Sequence, residues 1–187
     1  MNRKWMYLVI LSIIWGTSYI LIKKGLEGFT PVQLGAVRIV ITSVVLLSLG
    51  FRSLRSISGK EWFWVGLSGL LGSFLPVFLF AFAETEIDSS IAAILNSLVP
   101  LFTILIGFGA FGITFSKRQL GGVLVGLLGA VLLIALGSEI NPGQNYWYAG
   151  LVVLATIFYA CNANIIKSKL QEVSAMGIAV GNFAFMV

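Results

Sequence analysis

Residues 30–49, TPVQLGAVRIVITSVVLLSL, read as one apolar helix with a full positive charge, Arg38, set about a third of the way along it. Length decides what kind of helix this is. A hydrocarbon core of about 30 Å is crossed by about 20 helical residues rising about 1.5 Å each. The run Pro31–Leu49 meets that length, as do Trp5–Ile22, Trp62–Phe82, Ser89–Gly112, Leu120–Leu136 and Tyr148–Ile166. A seventh run opens near Ala175 and reaches Val187, where the sequence stops. None alternates apolar and polar residues as a barrel strand does, and in lipid the remaining way to satisfy the backbone is helical. The fold class is therefore an all-α polytopic membrane protein.

Composition points the same way. Of 187 residues, 58% are hydrophobic and only 10% are charged, which is more apolar surface than a soluble domain can hide. A net charge of +5 does not imply a nucleic-acid partner, because the basic residues stand in short clusters between apolar runs and form no basic face. Cys161 is the single cysteine and histidine is absent. The chain thus lacks an internal disulfide, the commonest general base and the commonest metal ligand. Without G-x-S-x-G, H-E-x-x-H or an intramembrane aspartate pair, no enzyme chemistry, metal or cofactor is expected. The first run is too long for the core of a signal peptide and is closed by Lys23 and Lys24 rather than a cleavage site.

Short connections let basic residues report orientation. With the N-terminus in the cytoplasm, Arg3, Lys4, Arg52, Arg55, Lys60, Lys117, Arg118, Lys167 and Lys169 lie inside. Lys23 and Lys24 lie outside, and Arg38 lies in the membrane. The acids Glu27, Glu84, Glu86, Asp88 and Glu139 fall outside. The reverse orientation inverts every count.

Part of the sequence returns. VILSIIWGTSYILIKKGLEGFTP, from Val9, overlies VLATIFYACNANIIKSKLQEVSA, from Val153, without a gap. Val9/Val153, Ile13/Ile157, Ile22/Ile166, Lys23/Lys167 and Leu26/Leu170 are identical, and Thr30 and Ser174 take equivalent helix-start positions. An odd number of spans separates the copies, so they run in opposite directions. Inverted repeats of this kind mark secondary transporters.

At this point the chain resembles the EamA family of the drug/metabolite transporter superfamily. Trp15, Gly16 and Tyr19 match its W-G-x-x-aromatic pattern, Pro31 and Arg38 its P-x6-R pattern, and Ala93 and Pro100 its A-x6-P pattern. The resemblance covers residues 5–136. It implies a first five-helix bundle (1–137), a linker (138–146) and the start of a second repeat (147–187), out of a ten-helix carrier. It further implies a bacterial inner-membrane exporter of small metabolites, such as amino acids or related compounds, working by alternating access. The family's glutamate before the fifth span is missing from FGITFSK here. The alternative is a non-transporting membrane subunit or inactive fragment, with a homodimer or a partner supplying the remaining helices.

Candidate site residues follow from polar groups at lipid depth. Arg38 either snorkels outward along its own helix or turns inward to pair with an acid or a substrate anion, with Glu84, Glu86 and Asp88 as the acids for a gate. Pro100 frees the carbonyl of Asn96, and Pro76 that of Gly72, each open to a neighbouring helix or a substrate. Trp15, Thr17, Ser18 and Tyr19, with Tyr159, Asn162 and Asn164, occupy repeat-related regions and suit either a cavity wall or helix packing. No acid falls within an apolar run, so no proton carrier is evident. Two glycine stripes, Gly66/Gly69/Gly72 and Gly122/Gly126/Gly129, predict close helix approaches. A topology reporter fused after the fifth run is expected to read as periplasmic only; a mixed signal would contradict the charge-derived orientation.

Overall fold

The structure, a computed structural model, describes residues 3–137 and 145–186. Its helices are α1 (Arg3–Gly25), α2 (Pro31–Gly50), α3 (Gly59–Gly69), α4 (Leu75–Glu86), α5 (Ser89–Asn96), α6 (Val99–Phe111), α7 (Lys117–Gly137), α8 (Ala149–Lys169) and α9 (Ala175–Ala184). The described residues contain no strand. A 3-10 turn, Phe51–Ser56, extends α2, and another, Tyr146–Tyr148, leads into α8. Among the described residues, five stretches have membrane-crossing length and apolarity: Trp5–Gly25, Pro31–Ser56, Gly59–Glu86, Ser89–Phe111 and Tyr146–Lys169. Most of the expected linker, including Glu139, lies outside the described residues.

Helix ends fall where side chains can satisfy them. At α2, the Thr30 hydroxyl accepts from the Gln33 amide at 3.3 Å while the Gln33 side chain accepts from the Thr30 amide at 3.0 Å, a reciprocal cap with Pro31 in the first turn. Ser58 and Glu61 form the same box at α3. Ser174 caps α9 by accepting from the Gly177 amide at 3.0 Å. Gly112 ends α6 at φ +61°, a left-handed conformation that costs glycine little.

The prolines reshape two of the expected runs. Pro76 has no N–H to give Gly72, and just ahead of it the third run widens into a π turn, Leu70–Phe74. This run continues past Phe82 to Glu86, so Glu84 belongs to the helix rather than to an outer loop. The fourth run is two helices, broken at Ser97–Leu98, with Pro100 in the first turn of α6.

Helix α8 occupies the middle of the bundle and packs against α3, α4, α5 and α6. Helix α2 lies against α4 and α9, α1 against α4 and α5, and α7 against α5 and α6. One apolar cluster gathers Ile22, Leu34, Phe80, Ala83, Ile87, Ala92, Val152 and Ala155; a second joins Ile57, Val65, Leu170, Val173 and Ile178 toward the opposite end. Lipid tails are as apolar as leucine, so close packing and polar contacts hold such helices together more than apolar burial does. The outward faces carry the large apolar side chains accordingly: Leu21, Phe108 and Val125 are 67%, 72% and 71% exposed.

The two glycine stripes have different fates. A methyl group on Gly69 would stand 2.9 Å from the Asn182 carbonyl oxygen, and one on Gly66 would stand 3.0 Å from the Phe185 ring. Gly72 lies directly beneath the Asn162 amide. This stripe is a close seam against α8 and α9. On Gly122, Gly126 or Gly129 a methyl would meet nothing within 4 Å, so the expected seam along α7 is not used here. Gly69→Ala should therefore cost about 1–3 kcal/mol through forced backbone displacement, whereas Gly126→Ala should be neutral or slightly stabilising. Thermal unfolding in detergent checks the contrast, and equal losses would contradict it.

Candidate functional site

At one end of the bundle, the last turn of α4 is tied down by α1. The Lys23 ammonium donates to the Glu84 carbonyl at 2.7 Å and the Ile87 carbonyl at 3.1 Å. Those carbonyls belong to the helix end, which has no intrahelical donors left and carries the negative end of the dipole. A lysine there satisfies both deficits. The Ser89 hydroxyl, opening α5, lies 2.8 Å from Glu84 Oε2 and 3.2 Å from the Tyr19 carbonyl oxygen of α1. Three helices thus meet over one serine.

Glu84 is fully buried and its Oε1 has no hydrogen-bond partner. Arg38 arrives from α2, with Nη1 buried and likewise unpartnered. The two do not meet within 4.0 Å, and the ion pair seen among the described residues is the exposed Lys24–Glu27 contact at 2.7 Å. Arg38 lies near enough to Glu84 and to Tyr159 of α8 for charge on either to act on it. Thr42 Oγ1 donates to the Arg38 carbonyl at 2.7 Å, a bond within α2 that leaves the guanidinium untouched.

Aromatic rings line the same region. Tyr19 and Phe80 meet at 5.7 Å between centroids, tilted 59°, and Phe80 stacks on Tyr159 at 6.1 Å and 27°. The Tyr19 hydroxyl lies beside the Asn96 side chain, whose Oδ1 is buried without a partner. Tyr19, Arg38, Glu84, Asn96 and Tyr159 therefore come together from α1, α2, α4, α5 and α8. One cationic donor and two acceptors remain unused there, although buried polar groups normally find partners. Such a set can hold a small solute bearing both acidic and basic groups, with ring faces for its apolar part.

The other candidates lie elsewhere. Asn162 accepts from the Ser68 hydroxyl at 2.7 Å, and Asn164 donates to the Thr103 and Ala160 carbonyls at 3.0 Å and 2.9 Å. These amides fasten α8 to α3 and α6, and Gly107 leaves the room that Asn164 fills. Two residues apart on α8, they face different neighbours. Trp15 is 64% exposed; Thr17 is exposed and spends its hydroxyl on the Ile13 carbonyl at 2.8 Å. Ser18 is half-buried, and Pro100 sits exposed at the α5–α6 break. Glu86 and Asp88 are exposed at the end of the bundle, with Glu84 alone of the three acids turned inward. An open, mainly apolar groove of about 460 Å³ runs between α6 and α7 past Pro100, Thr103, Phe115 and Gln119. It touches neither Arg38 nor Glu84. Among the described residues no cluster of acids or cysteine could hold a metal ion.

Sequence reading did not single out Lys23, Ser89 or Phe80. Lys23 reads as a loop charge, and its partners are main-chain carbonyls that no side-chain pattern announces. Ser89 reads only as the beginning of an apolar run.

Comparison with known proteins places the chain in a family. The EamA-like transporter family matches residues 3–135. The uncharacterised inner membrane transporter YedA of Escherichia coli K12 is 32% identical over 155 residues, covering 82% of this chain and 49% of that protein. A Salmonella typhimurium protein named a probable amino-acid metabolite efflux pump is 26% identical over 92% of this chain and 56% of its own length. One from Streptantibioticus cattleyicolor, named a probable terminal-alkyne amino-acid exporter, is 22% identical over 93% and 60%. The chain spans about half the length of the curated relatives it matches. No solved structure matches it. On the strength of the match over residues 3–135, this chain belongs to the EamA-like transporter family.

Proposed function

We propose that the protein works as a secondary exporter of small amphoteric metabolites, amino acids or related compounds, across the bacterial inner membrane. The carrying observation is the convergence of Tyr19, Arg38, Glu84, Asn96 and Tyr159 from five helices, with Arg38 Nη1, Glu84 Oε1 and Asn96 Oδ1 left without partners. A carboxylate on the solute would meet the guanidinium, and an ammonium would meet the two oxygens. The names of two relatives, an amino-acid metabolite efflux pump and an amino-acid exporter, support that class of cargo.

In this reading residues 1–137 are a first repeat, 138–146 a linker and 147–187 the start of a second, inverted repeat. Thr30 and Ser174, the paired start positions in the sequence, each cap a helix through a hydroxyl, which supports the pairing. Alternating access would move the repeats about the cluster, with the N-terminus in the cytoplasm. The glycine seam of α3 and the Lys23 tie are the contacts such a movement would have to preserve or break.

Arg38→Gln keeps a polar amide on a shorter side chain and removes the charge that would meet the anionic end of the cargo. It should abolish export of labelled amino acids from preloaded cells while membrane expression stays at the wild-type level. Undiminished export by this variant would refute a role for the cluster in binding.

A further inference from the structure

We infer that Glu84 carries the coupling proton, and that this proton decides whether α1 is tied to α5 through Ser89. The inference deepens the transport reading above and rests on it for its biological meaning. Its basis is a count of hydrogens. A serine hydroxyl has a single hydrogen to donate. Ser89 Oγ lies within hydrogen-bond distance of two oxygens, Glu84 Oε2 at 2.8 Å and the Tyr19 carbonyl at 3.2 Å. A carbonyl is only an acceptor, and so is an ionised carboxylate. One hydrogen serves one of them fully, and the Tyr19 carbonyl, which already takes a main-chain amide within α1, has a second lone pair open to Ser89. A protonated Glu84 resolves the conflict: its O–H donates to Ser89 Oγ, and the Ser89 hydrogen is then free to reach the Tyr19 carbonyl. Glu84 Oε2, Ser89 and the Tyr19 carbonyl are then joined in one directed chain from α4 through α5 to α1, and Glu84 Oε1 stays open.

The cations around Glu84 are arranged consistently with a neutral side chain. Lys23, from α1, spends its ammonium on the Glu84 and Ile87 main-chain carbonyls instead of the carboxyl group. Arg38, from α2, stays beyond 4.0 Å. Tyr19 from α1 and Tyr159 from α8 complete the titratable groups facing it, with Tyr148 packed against the apolar cluster below and Asp88 and Glu86 outside at the bundle end. An ionised, fully buried Glu84 with two cations at hand would draw one of them into a direct pair. Neither is drawn.

Loss of the proton rearranges the group. The proton leaves Oε2 for water at that end of the bundle, and the carboxylate then takes the Ser89 hydrogen. The Tyr19 carbonyl loses its tie to α5, and the new anion attracts Lys23 or Arg38. Proton release thereby unties α1 from α5 and changes the charge that a solute at Arg38 would meet. A carrier needs this kind of link between an ion and a movement.

The test is an infrared pH titration of the protein in lipid nanodiscs, comparing wild type with Glu84→Gln. The glutamine amide donates to Ser89 as the protonated acid does, so this variant keeps the tie. Raising the pH from about 6 to about 9 should remove a buried protonated-carboxyl band from wild type that Glu84→Gln lacks at every pH. No difference between the two spectra would overturn the inference. Should Glu84→Gln fail to accumulate, Ser89→Ala serves instead: it should shift the band to the position of a carboxyl group without an acceptor, and an unshifted band would overturn the inference equally. The readout needs no cargo. A titrating band in a protein that exports nothing would refute the transport reading alone, and export without the band would refute the proton role alone.

Discussion

Everything in this bundle answers to one constraint: in lipid, a polar group has no water to fall back on and must find its partner inside the protein. The last turn of α4 shows the constraint at work. Its free carbonyls are met by Lys23 from another helix, so the end of α4, the start of α5 and the last turns of α1 are held in one arrangement. Asn162, Asn164 and Ser68 do the same at the middle of the bundle, fastening α8 among α3, α4, α5 and α6. Against that background the exceptions carry meaning. Among the described residues Ser43 Oγ and Asn164 Oδ1 are also buried without partners, but Arg38, Glu84 and Asn96 gather three such atoms in one region, which is why the proposed cargo is placed there.

Much of the fold was legible in the sequence because the signals are long and redundant. Runs of about 20 apolar residues admit few other interpretations, and Thr30-Pro31 announced the start of α2 with its cap intact. Less was legible where the outcome depends on a distant neighbour. Glu84 stands two residues past the apolar run Trp62–Phe82 and reads as a loop acid, yet the helix extends to Glu86 and buries it. The stripe Gly122/Gly126/Gly129 has the same pattern as Gly66/Gly69/Gly72, but only the second faces another helix closely. Spacing shows that a close approach is possible; it does not show which helix comes.

The candidate residues divide along the same line. Tyr19, Arg38, Asn96 and Tyr159 converge, whereas Asn162 and Asn164 are used in packing and Trp15 and Thr17 look outward. Nothing in the one-dimensional pattern separates these groups, because amide and hydroxyl side chains serve packing and binding through the same chemistry. Of the ion pairs expected for Arg38, the one with Glu84 is not formed: a lysine holds main-chain oxygens at the end of α4 and Arg38 stays clear of Glu84. A tie made to carbonyls leaves both the guanidinium and the carboxyl group available for a changing partner.

The central claim is that the cluster around Asn96 lies on a path open to water and cargo. The most direct measurement places a cysteine there, Asn96→Cys, with Cys161 replaced by alanine, and follows its reaction with a small membrane-impermeant thiol reagent in sealed vesicles. Labelling that slows when an amino-acid cargo is added is the predicted result. A thiol that stays unreactive from both sides of the membrane, with or without cargo, would show a sealed interior and contradict the claim.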